Sequence, residues 1–222
     1  MTAPTQTLLD ELTEADRVLA NAAPSEVIGW ALERFSGNVA MACSFEDLVL
    51  IDLALASDAH LEVIFLDTGF HFPETLDFAR QFCEERGVNL TTTTPPPEAD
   101  QWPCGTERCC ELRKVQPLAG ALQGRDAWLT ALKRVDAPTR AHLPVVSWDV
   151  RFGLVKCNPL ATWTDDDIAW YLREHGLPEH PLWAKGYASI GCAPVTRPVA
   201  AGESRRSGRW SDSDQEECGL HG

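Results

Sequence analysis

Between residues 38 and 93 the sequence alternates short apolar runs with longer amphipathic runs, and this alternation restricts the possible folds more than any other feature. The apolar runs predict buried strands in "NVAMAC", "LEVIFLDTG" and "VNLTTT". The runs between them predict helices in "FEDLVLIDLALAS" and "PETLDFARQFCEERG". Because strands that alternate with helices form parallel sheets covered by helices, we expect an α/β fold with a parallel-type sheet and helices on both faces.

Further elements are predicted on both sides of this segment. Two amphipathic helices precede it, "LLDELTEADRVLA" and "SEVIGWALERFSG", the second with Ser25 as N-cap and Gly37 as C-cap. After it we expect a helix from about Thr106 to Gly120, strands in "AWLTAL", "PVVSW" and "LVKCNPL", and a capped helix in "TDDDIAWYLREHG". Beyond Leu177 helical periodicity ends. We therefore expect an α/β domain over residues 1–196 and a flexible C-terminal segment over residues 197–222.

The charge balance excludes several classes of partner. The chain carries 19 basic and 33 acidic residues, for a net charge of -14. Since nucleic acid and anionic membranes attract positive surfaces, we expect neither as a partner. Residues 1–20 contain no basic cluster and no unbroken apolar stretch, so we expect no signal peptide and no membrane span, and a cytoplasmic protein.

The eight cysteines are expected to be reduced in the cytoplasm, which favours metal binding or thiol chemistry over disulfides. Cys109 and Cys110 are adjacent, which suits joint ligation of an iron-sulfur cluster better than a mutual disulfide, and Cys192 is a candidate third ligand. Two alternatives stay open: structural zinc on the same thiols, or burial as small apolar side chains. Cys83 is interpreted as structural because it falls on an amphipathic helix.

Two strand-to-helix junctions are candidates for binding a nucleotide. In "CSFED" a helix N-terminus after Cys43 would suit a phosphate or sulfate group, although an ordinary turn with Ser44 as N-cap fits the local sequence as well. In "LDTGFHFPET" Asp67 could accept a hydrogen bond from a ribose or amino group, and Gly69 would let a ligand approach the backbone. Both junctions follow predicted strands, where open parallel sheets bind ligands.

The C-terminal region combines positive charge with a reactive residue type. The stretch "RPVAAGESRRSGRW" gathers four arginines, which predicts either an anion-binding flap or a solvated basic loop. Cys218 follows in "EECGLHG". Since only the thiolate attacks and the neighbouring glutamates Glu216 and Glu217 raise the pKa of a thiol, Cys218 would become reactive only after docking onto positive charge.

A series of motifs, taken in order, closely resembles the assimilatory adenylyl-sulfate and phosphoadenylyl-sulfate reductases. The motifs are "CSFED", "LDTGFHFPET", "GTERCCELRK", "PTR", "LVKCNPLATWT", "SIGCAP", "GESRRSGRW" and "ECGLH". The resemblance covers nearly the whole chain beyond the first helix. It implies an α/β fold of the adenine nucleotide alpha-hydrolase (PP-loop) type, with adenylyl sulfate at the carboxyl edge of the sheet.

The resemblance also implies an activity and its residues. Adenylyl sulfate (APS) would be reduced to sulfite with release of AMP, in assimilatory sulfate reduction and cysteine biosynthesis. Cys218 would be the nucleophile that forms an enzyme S-sulfocysteine, and thioredoxin would release sulfite from it. We also expect a homo-oligomer. The implied substrate-binding residues are Lys114, Arg206 and Arg209, then Arg134 and Arg140 in a partly matching stretch, and Ser44, Asp67, Gly69 and His221.

Family members with a cysteine pair and a Cys-x-x-Cys motif carry a 4Fe-4S cluster and prefer APS, whereas members without them use the 3'-phosphorylated form, PAPS. The cysteine pair here therefore points to APS. Cys109, Cys110 and Cys192 match three cluster ligands, but Val195 stands where the fourth is expected.

The missing fourth cysteine leaves several possibilities. The cluster could be held by three thiolates and another group, could recruit Cys157 or Cys104, or could be labile or absent. Two alternative functions follow: a PAPS reductase with the same mechanism, or a nucleotide-binding redox or metal sensor.

Overall fold

A computed structural model describes residues 3–210 and 219–220. Its strands form one six-stranded sheet in the order β3-β2-β1-β4-β6-β5. The strands are β1 (Val39–Ala42), β2 (Glu62–Leu66), β3 (Leu90–Thr93), β4 (Ala127–Leu129), β5 (Val146–Asp149) and β6 (Leu154–Cys157). Strand β4 lies parallel to both β1 and β6, with Ala127 opposite Val39 on one side and Val155 on the other. The expected α/β fold is confirmed as a mostly parallel, mixed sheet.

Strand β5 is the exception to the expected parallel arrangement, because it pairs antiparallel with β6. The two strands are joined only by the turn at residues 150–153. A connection this short can build only a hairpin, since parallel neighbours need a long crossover. The Asp149 carboxylate accepts from the backbone N–H groups of Arg151 and Phe152, and Gly153 has a φ of 69°, so local turn chemistry sets the direction of β5.

The predicted helices are all present, with some different starts. They are α1 (Gln6–Leu19), α2 (Pro24–Arg34), α3 (Val49–Ser57), α4 (Pro73–Arg86), α5 (Glu107–Cys110), α6 (Gln116–Ala121) and α7 (Asp165–Glu174), with a π-helical stretch, Glu111–Val115, between α5 and α6. Two predicted N-caps are wrong. Helix α2 starts one residue before Ser25, because Pro24 takes its first position. Helix α3 starts only at Val49, so Ser44 does not cap it and no helix N-terminus lies directly after Cys43.

The predicted C-cap of α2 is also displaced. Phe35 takes that position, whereas Gly37 lies beyond it with a φ of 74°. Beyond Leu177 the described residues form no α-helix and two short 3-10 turns, in agreement with the loss of helical periodicity. None of the described helices is long and apolar enough to cross a membrane.

The described residues fall into two compact units. The first unit comprises residues 3–43, 48–63 and 122–177, and the second comprises residues 44–47, 64–121, 178–210 and 219–220. The boundary expected at residues 196 and 197 stays a prediction.

In the first unit Trp128 is fully buried and meets the Phe152 ring edge to face, with ring centroids 5.5 Å apart. The Lys156 ammonium lies 5.2 Å from the centroid of the Trp128 ring.

Within the second unit, His180 packs against helix α4. Its Nδ1 accepts a hydrogen bond from the backbone N–H of Leu182 at 3.1 Å, so Nε2 carries the ring proton and donates to Thr75 Oγ1 at 3.1 Å. The ring is 1% exposed and packs against Phe78. Burial lowers the pKa of His180 from 6.5 to about 4, and the nearby carboxylates Glu46 and Glu74 oppose that shift only partly.

We expect acid to destabilise the protein through His180. Between pH 6.5 and about 4 the unfolded chain binds a proton that the folded ring does not, so the free energy of unfolding falls as pH falls. Over the whole window the loss reaches at most about 3 kcal/mol. Urea titrations of the wild type and of His180→Asn at several pH values measure it, because asparagine can still accept from the Leu182 N–H but does not titrate. Equal pH slopes for the two proteins would contradict this assignment.

Candidate active site

The loop that follows β2 is tightly ordered by its own side chains. The Asp67 carboxylate accepts from the Gly69 N–H at 2.9 Å, and the Thr68 hydroxyl accepts from the Phe70 N–H at 3.2 Å. Gly69 has a φ of 73°, a left-handed conformation that glycine adopts without strain. Asp67 thus shapes the loop in addition to any role in binding.

Arg113 holds this loop, and the sequence reasoning missed it. Its side chain is 5% exposed and donates to the Thr68 carbonyl at 2.8 Å and to the Asp100 carboxylate at 2.7 Å. Its guanidinium also lies 4.3 Å from the centroid of the Phe70 ring. A Cβ at Gly69 would stand 3.2 Å from Arg113 Nη1, so Gly69 leaves room for this arginine. No sequence signal distinguishes Arg113 from its neighbour Lys114.

The cysteine pair lies at the start of the helix that also carries Arg113, as predicted. Thr106 caps helix α5, because its hydroxyl accepts from the Cys109 N–H at 3.2 Å. Cys109 and Cys110 are buried, at 3% and 5% exposure. The helix then widens into the π-helical stretch that contains Lys114, a type of irregularity that is frequent at functional sites.

Cys192 is buried and hydrogen-bonded to two side chains of the second unit. Its sulfur lies 3.5 Å from the Thr68 hydroxyl, and it also bonds with the thiol of Cys104. The Cys104 bond lowers the pKa of Cys192, and the positive charge of Lys114 acts in the same direction against burial. The same hydrogen bond raises the pKa of Cys104, and burial and the charge of Cys109 raise it further. Cys104 and Cys192 therefore share a hydrogen bond within the second unit.

We call Cys104, Cys109, Cys110 and Cys192 the cysteine group. All four lie within the second unit, and none of them forms a disulfide. Within residues 3–210 and 219–220, no set of three His, Cys, Asp or Glu side chains is already arranged to hold a metal ion. Cys157 belongs to the first unit, where it is fully buried in β6 and burial raises the pKa of its thiol to about 12. Cys83 is buried in α4, as expected of a structural cysteine.

The arginine segment, residues 197–210, is fastened at its two ends. Thr196 and Arg209 form an antiparallel bridge, and the backbone N–H groups of Arg197 and Trp210 donate to Gly208 and Val195 carbonyls at 2.8 and 3.0 Å. A Cβ at Gly208 would stand 2.3 Å from the Arg197 carbonyl oxygen, so this approach requires glycine. The arginine segment is thus closed into a loop.

Arg209 is built into the second unit by its guanidinium. It donates to the Ser189 hydroxyl and the Ile190 carbonyl at 3.3 and 3.2 Å, and it lies 4.5 Å from the centroid of the Trp210 ring. A Cβ at Gly191 would stand 2.1 Å from Arg209, so the glycine of "SIGCAP" provides the space for this side chain. The Arg209 Nε is buried and has no hydrogen-bond partner among the residues that the structure describes.

The other arginines of the segment lie close to the second unit's own acidic and aromatic side chains. Arg205 pairs with Glu46 of "CSFED" at 2.8 Å. The Arg206 guanidinium lies 5.6 Å from the centroid of the Trp210 ring. Phe45, also of "CSFED", is fully buried with a φ of 55°, an uncommon backbone for a bulky residue that is often associated with functional sites.

The structure brings most of the predicted site residues into the second unit. These are Ser44, Asp67, Gly69, Cys109, Cys110, Lys114, Cys192, Arg206 and Arg209. Arg134 and Arg140 belong to the first unit, where Arg134 donates to the Leu143 carbonyl at 2.9 Å and Arg140 pairs with Asp136 at 3.3 Å. Cys218 and His221 lie outside the described residues, so their roles stay predictions.

The chain matches one family model and is similar to several proteins that share one name. The family model described as the phosphoadenosine phosphosulfate reductase domain matches residues 38–198. The chain is 42% identical over 231 residues to adenosine 5'-phosphosulfate reductase of Mycolicibacterium smegmatis, with 100% of this chain and 98% of that protein covered. A second relative of the same name, from Streptomyces coelicolor, is 43% identical over 217 residues, with 94% and 92% covered.

Among solved structures, the chain is similar to the phosphoadenylyl-sulfate reductase of Candida auris. The TM-score is 0.72 with 28% identity, and the match covers 86% of this chain and 97% of that one.

Proposed function

The chain belongs to the phosphoadenosine phosphosulfate reductase domain family, and from that premise we propose that it reduces adenylyl sulfate to sulfite and AMP in sulfate assimilation. The full-length similarity to adenosine 5'-phosphosulfate reductases carries this proposal. The cysteine group and the arginine segment, which meet in the second unit, are consistent with it.

The proposed chemistry proceeds in two transfers. The Cys218 thiolate attacks the sulfur of the sulfate group, a sulfur–sulfur bond forms, and the bond from that sulfur to the phosphate oxygen breaks, which releases AMP. One thiol of reduced thioredoxin then attacks the Cys218 sulfur and displaces sulfite. The second thioredoxin thiol resolves the mixed disulfide, so thioredoxin leaves oxidised and Cys218 is free again. AMP is a good leaving group, and cations near the phosphosulfate would reduce the repulsion between its charge and the thiolate.

We assign the phosphosulfate contacts to Lys114, Arg206 and Arg209. The buried Nε of Arg209, which has no acceptor among the described residues, supports its assignment, because a buried donor favours a site where an anion would accept from it. Ser44, Asp67 and Gly69 are assigned to the nucleotide. The assignments of Arg134, Arg140 and His221 rest on the family resemblance alone, as does thioredoxin. A cytoplasmic location and a homo-oligomer stay predictions.

A 4Fe-4S cluster is part of the proposal, and the residue types present suit it. Cys109, Cys110 and Cys192 are buried thiols of one unit, and thiolates are the usual ligands of iron-sulfur clusters. When bound, the cluster would supply iron–thiolate bonds that tie helix α5 to the segment around Cys192.

The proposal is tested by sulfite release from sulfur-labelled APS and PAPS with reduced thioredoxin. We expect kcat/KM for APS to exceed that for PAPS by about ten-fold or more, equivalent to about 1.4 kcal/mol of discrimination. Preference for PAPS would instead support the alternative of a PAPS reductase, in keeping with the Val195 substitution. Nucleotide binding without turnover of either substrate would favour a redox or metal sensor.

A further inference from the structure

We propose that Cys104 is the fourth thiolate ligand of the iron-sulfur cluster and replaces the cysteine that is absent at position 195. The inference rests on the proposed function, because it assumes that Cys109, Cys110 and Cys192 ligate such a cluster. It assigns a fourth ligand, which neither the cysteine pair nor "CAPV", with valine in place of the last cysteine, supplies.

The first argument is the contact between Cys104 and an assigned ligand. Cys104 and Cys192 lie 88 positions apart in sequence, yet their side chains are hydrogen-bonded to each other, and Cys104 also interacts electrostatically with Cys109. Cys104 is half-buried.

The second argument concerns the position that Val195 occupies. The next residue along from Cys104, Gly105, packs so tightly on Val195 that a Cβ at Gly105 would stand 2.8 Å from Val195 Cγ1. Gly105 also has a φ of 91°, which favours glycine. A cysteine at position 195 would carry its sulfur on the same Cβ that bears this methyl group. The loop with Cys104 therefore lies against the place from which the fourth family ligand would extend.

The third argument is that this loop is fixed to the helix of the cysteine pair. The Thr106 hydroxyl donates to the Pro103 carbonyl at 2.9 Å while it accepts from the Cys109 N–H. The Thr106 side chain thus joins the Cys104 turn to the first turn of α5. Because one side chain links both segments, Cys104 and the pair are held in a defined arrangement, as cluster ligands need to be.

Cys157, the other candidate replacement, has the surroundings of a core residue. It lies within β6, opposite Leu129 of β4 and Val146 of β5. It is fully buried, and burial raises the pKa of its thiol, which disfavours the thiolate that a metal requires. A role in the packing of the sheet therefore explains Cys157, and no ligand role is needed.

The test compares cluster content in the full chain, purified and reconstituted anaerobically with iron and sulfide. The variants are Cys104→Ser, Val195→Cys and the double variant, with Cys83→Ser as the matched control because Cys83 is a buried thiol of the same unit outside the cysteine group. The readouts are iron and sulfide per chain, the Mössbauer spectrum and the rate of cluster loss in air, with circular dichroism as a check on folding.

We expect Cys104→Ser to lose its cluster about ten-fold faster or more than wild type, or to bind none, while Cys83→Ser behaves as wild type. Adding Val195→Cys to Cys104→Ser should restore the cluster, because it returns a thiolate to the position of the family ligand. This rescue also separates ligation from a folding defect.

Three outcomes would overturn the proposal. They are a Cys104→Ser protein with the wild-type iron content, spectrum and lifetime; a double variant that folds but stays without iron; and a wild-type protein that takes up zinc and no iron-sulfur cluster. None of these readouts involves substrate, so sulfite release from APS continues to test the proposed function separately.

Discussion

A Cys218→Ser protein is expected to release sulfite at a rate lower by about three orders of magnitude or more, while it binds APS about as tightly as wild type. The serine hydroxyl is not ionised near neutral pH and is a far weaker nucleophile than a thiolate. A sulfate ester on serine would also offer no sulfur–sulfur bond for thioredoxin to cleave. Sulfite release with reduced thioredoxin measures turnover, and equilibrium binding of labelled APS measures affinity.

The intermediate can be observed directly in the same experiment. Incubation with sulfur-labelled APS in the absence of thioredoxin should leave one reducible sulfo adduct, which peptide mapping places on Cys218. Cys43→Ser is the matched control, because Cys43 is a partly exposed cysteine outside any disulfide in a predicted nucleotide-binding motif. An adduct on Cys43, or sulfite release by Cys218→Ser at the wild-type rate, would refute the assigned nucleophile. Loss of APS affinity along with turnover would mean that Cys218 binds substrate rather than attacks it.

The parts of the fold that the sequence could predict are those set by local periodicity. Short apolar runs predict the buried strands β1, β2 and β3. Amphipathic runs with helical spacing predict α3 and α4, because that spacing places the apolar side chains on one face of a helix. Helix starts were less certain: Pro24 displaces Ser25 from the expected cap, and the chain after Cys43 turns through Phe45 before α3 begins. The antiparallel direction of β5 follows from the length of one turn and not from strand composition.

The site shows the same limit more sharply. The cysteine pair and Arg209 stand out in the sequence by residue type, whereas Lys114 is assigned through the family resemblance. Arg113 was not found, since its role depends on contacts with Asp100 and Thr68 that only the tertiary structure creates. Among the cysteines, the sequence offers Cys104 and Cys157 as candidates for a missing ligand, although the predicted strand around Cys157 disfavours that residue. The bond with Cys192 distinguishes them.

Arg113→Met is expected to lower the free energy of unfolding by about 2 to 4 kcal/mol, because it removes a buried charge-assisted pair and a donor to a buried carbonyl. For a chain of this size that loss corresponds to a Tm decrease of roughly 5 to 15 °C. The pair with Asp100 supplies only part of the effect, since that carboxylate is 81% exposed and well solvated. The larger part comes from the Thr68 carbonyl, which loses its donor in a buried setting.

Two further variants separate these contributions in thermal and urea unfolding. Arg113→Lys keeps the charge but lacks the planar guanidinium that reaches both Thr68 and Asp100 and lies over Phe70, so it should recover less than half of the lost stability. Arg108→Met is the matched control, because Arg108 lies on the same helix with an exposed side chain, and it should change stability by no more than about 0.5 kcal/mol. If Arg113→Met had the same free energy of unfolding as Arg108→Met, the hydrogen bonds of Asp67 and Thr68 would suffice to hold the loop after β2. If only Arg113→Met had a lower free energy of unfolding, the order of this loop would depend on Arg113, the neighbour of Lys114.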